Sequence, residues 1–341
     1  MTAQQSRRPT LKDVAALARV DSSIVSRVVN NDPGLSISAE TRTRIQGAIQ
    51  TIGYRPSIAG RSLRTQRFAT FGFVLRDITN PFNEEIVIGA SSRAFEVDHA
   101  LLLASDTLMP SEVAHDVQRL LAEDRVDGFL VVSGKQPQEL AEMLEGVSKP
   151  IVLVNRTMPG YLSATVDDAA GARAAIEHLG EHGHRSIAHL AGPEQVDTTV
   201  RRSLGFETAV AGLAGSPRPG RIRFADGFRP ADGYEAGRRL LAELDGETAV
   251  FVSNVTLAIG LYRAAHEQGI RIPDDLSVIA LHDYEIASML VPSLTTVAMA
   301  LRKLGETALD LLLDEVNGRK PSSVMLADAP VVVARDSVRD L

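Results

Sequence analysis

The stretch TLKDVAALARVDSSIVSRVVN, residues 10–30, sets Ser22, Ser23 and Arg27 on one side of a short helix, with Ser23 and Arg27 one turn apart. Two small hydroxyls and a guanidinium in that pattern can hydrogen-bond to base edges in a DNA groove, where arginine is the common bidentate partner of guanine. A second set of residues able to do chemistry is His178, His182 and His184. His178 and His182 lie one helical turn apart, a spacing found in metal ligands, but these histidines are expected to cap or pack. Catalytic turns are missing: the chain has no G-x-S-x-G elbow, no P-loop and no G-x-G-x-x-G loop. It is therefore expected to bind rather than catalyse, with no cofactor and no metal.

Positioning Ser22, Ser23 and Arg27 takes two short helices. Leu11, Val14, Ala15 and Ala18 repeat at helical spacing, the pattern stops at Arg19-Val20, and it restarts after Asp21, an N-cap residue type. Val25, Val28 and Val29 are left to pack inward. Such a pair is either a helix-turn-helix or a plain helical hairpin without a ligand. A turn cluster follows at 31–34, then Ser38 as a cap, then a third helix carrying Ile45, Ala48, Ile49 and Ile52, which Gly53 is placed to end.

Charge supports the DNA reading. Residues 1–67 hold eleven Lys/Arg against four acids, a net of +7, so the overall −7 leaves −14 for the rest. A basic head on an acidic body suits a polyanion at one end only, although a solvated basic face has the same count. There is no cysteine, which excludes disulfides and thiolate metal sites and points to a reducing compartment. Neither a signal peptide nor a membrane-length apolar run is present, so a cytoplasmic, membrane-free protein is expected.

The segment YRPSIAGRSLRTQR, 54–67, is too short and polar for a stable helix of its own. It reads either as a linker or as a segment that folds on DNA, with Leu63 wedged between base pairs from the minor groove. From Phe71 the texture changes to short apolar runs: FGFVL (71–75), ALLLAS (100–105), GFLVVS (128–133), PIVLVN (150–155), SIAHLA (186–191), RIRFAD (221–226), AVFVSN (249–254) and LSVIALHD (276–283). Helical patterns at 83–97, 111–123, 168–182, 200–213, 231–244 and 255–267 separate them. Buried runs alternating with helices predict an α/β fold with parallel, doubly wound sheets, and so many strands predict two sheets with a ligand cleft beyond the strand carboxyl ends.

These features resemble the lactose-repressor (LacI/GalR) family of transcriptional regulators. The likeness is carried by TLKDVAALARV…VSRVVN, GYRPSIAGRSLR, DITNPF (77–82), RVDGFLVV (125–132), HLGEHGHRSIAHLAGP (178–193), RRSLGF (201–206), GIRIPDDLSVIALHD (269–283) and PSLTTV (292–297). It implies a flexible arm (1–9), a helix-turn-helix domain (10–53), a hinge helix (54–67) and a core like periplasmic sugar-binding proteins. The core's N-subdomain would take 68–163 and 293–322, and its C-subdomain 164–292 and 323–341, with crossings near Ala164, Pro292 and Ser322. It further implies a repressor that binds a near-palindromic operator on double-stranded DNA as a homodimer under control of a small-molecule effector. No heptad tail follows the last strand, so a coiled-coil tetramer is not expected.

By match to the family's motif, Ser22, Ser23 and Arg27 read bases, Thr10, Asn30 and Ser57 fit phosphate or sugar contacts, and Leu63 is the operator-inserting leucine. Gly60 stands where alanine is usual, and Arg19 where glycine is usual. In the effector cleft Arg202 and Asn254 are retained, while Asn155 and His282 replace frequent aspartates, Val255 replaces an aspartate and Met299 a glutamine. Phe82 and Phe228 are placed to supply apolar walls. With fewer carboxylates to pair with sugar hydroxyls, the cleft is expected to be neutral to positive and its effector anionic or less polar than a sugar. Set beside this are a packed core His282 in a cleft that binds nothing, and a transport-type binding protein, which has no use for the basic head.

Overall fold

The computed structural model describes residues 9–29, 32, 34–54, 68–75, 80–105, 125–215 and 220–341. They divide into two units, Met1–Phe68 and Ala69–Leu341. The first is built from α1 (Leu11–Ala18), α2 (Ser22–Val29) and α3 (Ala39–Ile52). Val14, Ala15, Ala18, Val25, Val28, Ile45 and Ala48 form its core together with Tyr54, which had been assigned to the hinge. Tyr54 belongs to the head because its ring closes this small core and its N–H is held by the carbonyl of Ile49. Ser38 caps α3 by accepting the N–H of Thr41, and Gly53 ends it in the left-handed region at φ 63°.

In the second unit the chain runs β1 (Thr70–Leu75), α4 (Phe82–Glu96), β2 (Ala100–Ser105), β3 (Phe129–Val132), α5 (Pro137–Leu144), β4 (Ile151–Val154) and β5 (Leu162–Thr165). It continues through α6 (Asp168–Glu181), β6 (Ile187–Ala191), α7 (Asp197–Gly212), β7 (Arg221–Phe224), α8 (Pro230–Glu243), β8 (Ala249–Val252), α9 (Val255–Glu267), β9 (Ser277–Leu281) and α10 (Glu285–Met289). Last come β10 (Thr295–Ala298), α11 (Leu301–Val316), β11 (Val324–Met325) and β12 (Val331–Val333). Each of the eight apolar runs holds a strand. The expected helix at 111–123 lies outside the described residues.

Among the described residues the strands form two six-stranded sheets, ordered β11-β5-β4-β3-β1-β2 in lobe 1 and β12-β10-β9-β8-β6-β7 in lobe 2. The pairs are parallel except β10 with β12. In lobe 1, α4 and α11 pack on one face of the sheet and α5 lies with the other. The α4–α11 crossing is close enough that a Cβ on Gly89 would come within 2.0 Å of the Arg302 carbonyl, and one on Gly305 within 2.0 Å of the Ile86 carbonyl. Lobe 2 packs α8 and α9 in one layer and α6 and α7 in the other.

The crossings between lobes fall later than expected. Thr295–Ala298 pairs with β9 and so belongs to lobe 2, which moves the second crossing from Pro292 to Met299-Ala300. Val324–Met325 pairs with β5 and Leu326 packs in the lobe 1 core, which moves the third from Ser322 to 327–330. The first runs through Val166-Asp167, just past Ala164. Short runs such as TTVA and VM carry no apolar signal of their own, and only pairing assigns them to a sheet.

Candidate DNA-reading face and effector cleft

In the head, α1 opens on a capping box: Thr10 accepts the Asp13 N–H, while the Asp13 carboxylate accepts the Thr10 N–H and hydroxyl at 2.7 Å. The Thr10 hydroxyl thus has a local structural role. Arg19, at the glycine-type turn position, is in the left-handed region at φ 52°, and its N–H satisfies the carbonyls of Ala15 and Ala16. A non-glycine residue there costs of order 1 kcal/mol, and Arg44 Nε, 2.8 Å from the Ala18 carbonyl, braces the same turn. Asp21 accepts the Ser23 N–H at 2.8 Å, and the Ser23 side chain, with this N–H second, holds its carboxyl below the ordinary range.

With Val25 and Val28 buried, α2 turns Ser23 and Arg27 outward, and Ser22 is half-buried. Arg27 Nε donates to Asp32 at 2.7 Å with the side chains 47% and 35% exposed. Such an exposed pair is worth at most about 1 kcal/mol, so a guanine edge can outbid it. Asn30, Ser57, Gly60 and Leu63 lie outside the described residues.

Asn155, Asn254 and His282 follow the ends of strands β4, β8 and β9. Asn155 follows β4 at φ 52° and His282 follows β9 at φ 67°. Asn, Asp and His are the non-glycine types that tolerate this region best, so backbone geometry alone restricts what these positions can hold. Asn155 Oδ1 accepts the Val166 N–H at 3.3 Å. Asn254 caps α9, its Oδ1 accepting from the Leu257 N–H and the Thr256 hydroxyl, both at 2.8 Å.

Arg202 is the hub. Its Nε donates to Asp168 (2.7 Å), Nη1 to the Ser253 carbonyl (2.9 Å) and Nη2 to His282 Nε2 (2.9 Å), and it is 3% exposed. Because Nε2 accepts, the neutral imidazole carries its proton on Nδ1. Burial, and then the Arg202 charge, pushes the His282 pKa down to about 3, so the ring is neutral at any ordinary pH. Its ring packs against Phe82 of lobe 1, centroids 4.9 Å apart. Phe228 stands over Gly192, where a Cβ would come within 2.2 Å of its ring, and Met299 packs between the two lobes' cores beside Gly171.

The arrangement therefore brings Phe82, Arg202 and His282 into one contact chain and leads to Asn254 through Ser253, whereas Phe228 and Met299 stand at its margins. Sequence reasoning missed Asp168. Its carboxylate is fully buried and takes Arg202 at 2.7 Å and Arg201 Nη2 at 2.6 Å. Burial raises its pKa, but the charges of Arg202 and Arg201 outweigh that and hold it below the usual range. Arg201 in turn reaches Asp197 (2.7 Å) and the Asn155 carbonyl (3.3 Å). The adjacent pair Arg201-Arg202 was the available signal, since two neighbouring guanidinia on a buried helix demand a carboxylate. Within the Arg202 cluster Asp168 and Asp197 balance the two arginines and His282 carries no charge, the neutral end of the expected range.

The histidine stretch is structural in geometry. His182 Nδ1 lies 2.9 Å from the His178 carbonyl with the two rings 4.3 Å apart, and His184 bridges Thr248 Oγ1 and the Arg339 carbonyl. No helix among the described residues is long and apolar enough to cross a membrane.

A three-helix reader with a polar outer face, joined in one chain to a two-lobed α/β core hinged by three crossings, defines a DNA-binding regulator with a ligand-sensing core. Residues 10–57 match bacterial regulatory proteins of the lacI family, and residues 176–338 match a periplasmic binding protein-like domain. The HTH-type transcriptional repressor PurR of Photobacterium profundum is 31% identical over 335 residues, covering 97% of this chain and 99% of the relative. PurR of Erwinia tasmaniensis is 32% identical, with 97% of each chain covered. Among solved structures, the lac repressor dimer bound to operator and the anti-inducer ONPF superposes with a TM-score of 0.80 at 27% identity, covering 98% of this chain and all of that one. The regulator CelR in complex with cellobiose gives 0.71 at 28% identity, covering 97% of this chain and all of its own. The chain belongs to the lacI family of bacterial regulatory proteins and is a DNA-binding transcriptional repressor similar to PurR.

Proposed function

We propose that this repressor reads a near-palindromic operator as a homodimer, with Ser22, Ser23 and Arg27 of each protomer in the major groove, and that a small molecule in the interlobe cleft sets its affinity. The observation that carries the DNA reading is the outward Ser23 and Arg27 on a helix whose opposite face is fully packed. Thr10, Asn30 and Ser57 position the backbone and Leu63, beside Gly60, enters the minor groove. The protein acts in the cytoplasm, by binding and not by catalysis.

Arg27→Ala is expected to weaken operator binding about 5- to 150-fold, the equivalent of the 1–3 kcal/mol of one bidentate base contact, and to relax specificity at one position per half-site. Fluorescence anisotropy with single-base operator variants checks this; an equal loss on all sequences would reassign Arg27 to a phosphate. A second copy suits the exposed apolar residues at the end of lobe 2, Ile286, Met289 and Val291, which are 41%, 67% and 91% exposed. Val291→Asp is expected to shift sedimentation toward monomer and weaken operator binding, whereas an unchanged dimer would place the interface elsewhere.

The cleft suits an effector less polar than a sugar on the Phe82 and His282 side, lined by Asn155, Arg202, Phe228, Asn254 and Met299. Arg202 is already saturated by Asp168, so it does not serve as an anion grip. An effector acts only through a difference in affinity between the two lobe arrangements. Sequencing DNA selected by the purified protein, with and without a metabolite panel, tests both halves of the proposal. No enriched palindrome would overturn the first half, and no metabolite effect on operator affinity would overturn the second.

A further inference from the structure

Next to the Arg202 cluster, at the rim of the same cleft, the two lobes are joined by a carboxylate. Asp197, the first residue of α7 in lobe 2, accepts the Thr157 N–H (3.0 Å) and the Thr157 hydroxyl (3.1 Å) of lobe 1, and Arg201 Nη1 at 2.7 Å. Beside Thr157, Arg156 is 3% exposed and its guanidinium donates through Nη1 to the carbonyls of Ser133 and Lys135. Among the described residues its Nε has no partner and no carboxylate is hydrogen-bonded to it. A buried guanidinium held only by carbonyls leaves its charge largely uncompensated, a state costing several kcal/mol unless an anion stands near. Among the described residues, Asp197 is the anion whose field acts on Arg156.

We propose that Arg156 and Thr157 of lobe 1 and Arg201 of lobe 2 form a carboxylate-binding subsite across the cleft, which Asp197, one turn before Arg201 on the same helix, occupies in this structure, and that an effector carrying a carboxylate competes with Asp197 for it. The backbone N–H and hydroxyl of Thr157 converge on the two oxygens of one carboxylate, Arg201 adds a charged donor to one of them, and Arg156 supplies a positive field. That is recognition chemistry for a carboxylate rather than for a neutral hydroxyl. The subsite remains reachable, since Arg201 and Asp197 are each about a fifth exposed and Thr157 lies at the surface. In the intact chain Asp197 competes at the high effective concentration of a tethered group, so a ligand carboxylate enters only as the Thr157–Asp197 contact opens. A carboxylate bound there bridges Thr157 of lobe 1 and Arg201 of lobe 2, so binding is tied to the spacing of the two lobes. This rests on the reading of the cleft as an effector site and names one end of the molecule that fits it.

The absence of cysteine allows a direct test in the full-length protein. Spin labels at Glu139→Cys in lobe 1 and Glu207→Cys in lobe 2, both exposed, report the interlobe distance. Asp197→Ala is expected to add a longer distance, and acetate to restore the short one by refilling the subsite, whereas acetamide and equal chloride do not. Acetate should act on Asp197→Ala at a concentration at least about tenfold below that which perturbs the unsubstituted protein. Asp197→Asn, which keeps the shape and loses the charge, is expected to open without acetate rescue and covers the case in which the alanine variant does not fold. An unchanged short distance in both variants, or equal effects of acetate and acetamide, would overturn the subsite. Because the rescue needs no effector, its failure leaves the metabolite test of the cleft standing, and failure of that test leaves the rescue standing.

Discussion

Asp168→Ala is expected to be the most damaging single substitution in the core, lowering stability by about 3–5 kcal/mol, the usual cost of removing one partner from a buried ion pair. The carboxylate is fully buried and holds two guanidinia at 2.7 and 2.6 Å. Without it, Arg202 retains only the Ser253 carbonyl and the His282 ring. Arg201 retains Asp197 and the Asn155 oxygens. Two positive charges then share a site with one acid at its rim. For a core of this size the loss corresponds to an apparent melting temperature lower by roughly 5–10 °C, read by differential scanning fluorimetry. Phosphate should recover part of that loss in the variant and do little for the unsubstituted protein, because only the variant leaves Arg202 and Arg201 without the carboxylate they share. A shift below about 1 kcal/mol would mean that Asp168 behaves as an ordinary surface partner and that the hub is held by packing.

The second large effect is acid sensitivity well above the carboxylate range. Burial pushes His189 and His282 down to about 3 and His184 down to about 4. An unfolded histidine titrates near 6.5, so below that pH the unfolded chain takes up protons that the folded chain refuses. These residues therefore contribute stability that is complete above about pH 6.5 and is lost as pH falls toward their folded values. Each can remove up to about 1.4 kcal/mol per pH unit, so the three together give a slope of about 4 kcal/mol per unit between roughly pH 6 and pH 4. The Asp168 contribution has the opposite origin. Its folded pKa lies below the unfolded one, so its share persists down to about pH 4 and is lost only below that. Urea denaturation midpoints followed from about pH 7 to about pH 5 should fall steadily, and His189→Gln should flatten the slope by close to a third while costing stability at neutral pH through the lost Ser253 contact at 3.0 Å. A flat profile above about pH 5 would show that water reaches these rings in the native state.

The helical head was legible because its signals are local. Cap residues at Asp21, Ser38 and Gly53 and the apolar positions of three helices lie within a few residues of the bonds they make and are found where the sequence places them, while the capping role of Thr10 was not read from the sequence. The apolar runs of the core were legible for a related reason: a strand covered on both faces must be apolar along its length. Tyr54, the short β10 and β11 strands and the exact crossings were not legible. A ring closing a small core, or a strand of two to four residues, has no periodicity, and its place is decided by the partner it pairs with.

The cleft divides in the same way. Sequence alone determined the type of protein, since the polar face of α2, the basic head and the order of motifs specify a lacI-family reader with a two-lobed core. It also singled out Arg202, His282 and Phe82, which the fold brings into contact. Only the tertiary structure decided what those residues are free to do. Asp168 lies 34 positions before Arg202, and Thr157 lies 40 before Asp197, distances over which no local pattern links one charge to its partner. Folding brings the first pair together between α6 and α7 of lobe 2 and the second across the two lobes. That convergence turns Arg202 from a ligand grip into a neutralised hub, makes His282 a neutral ring, and leaves the Arg156–Thr157 edge, with Asp197 seated on it, as the place in the cleft where a carboxylate is recognised.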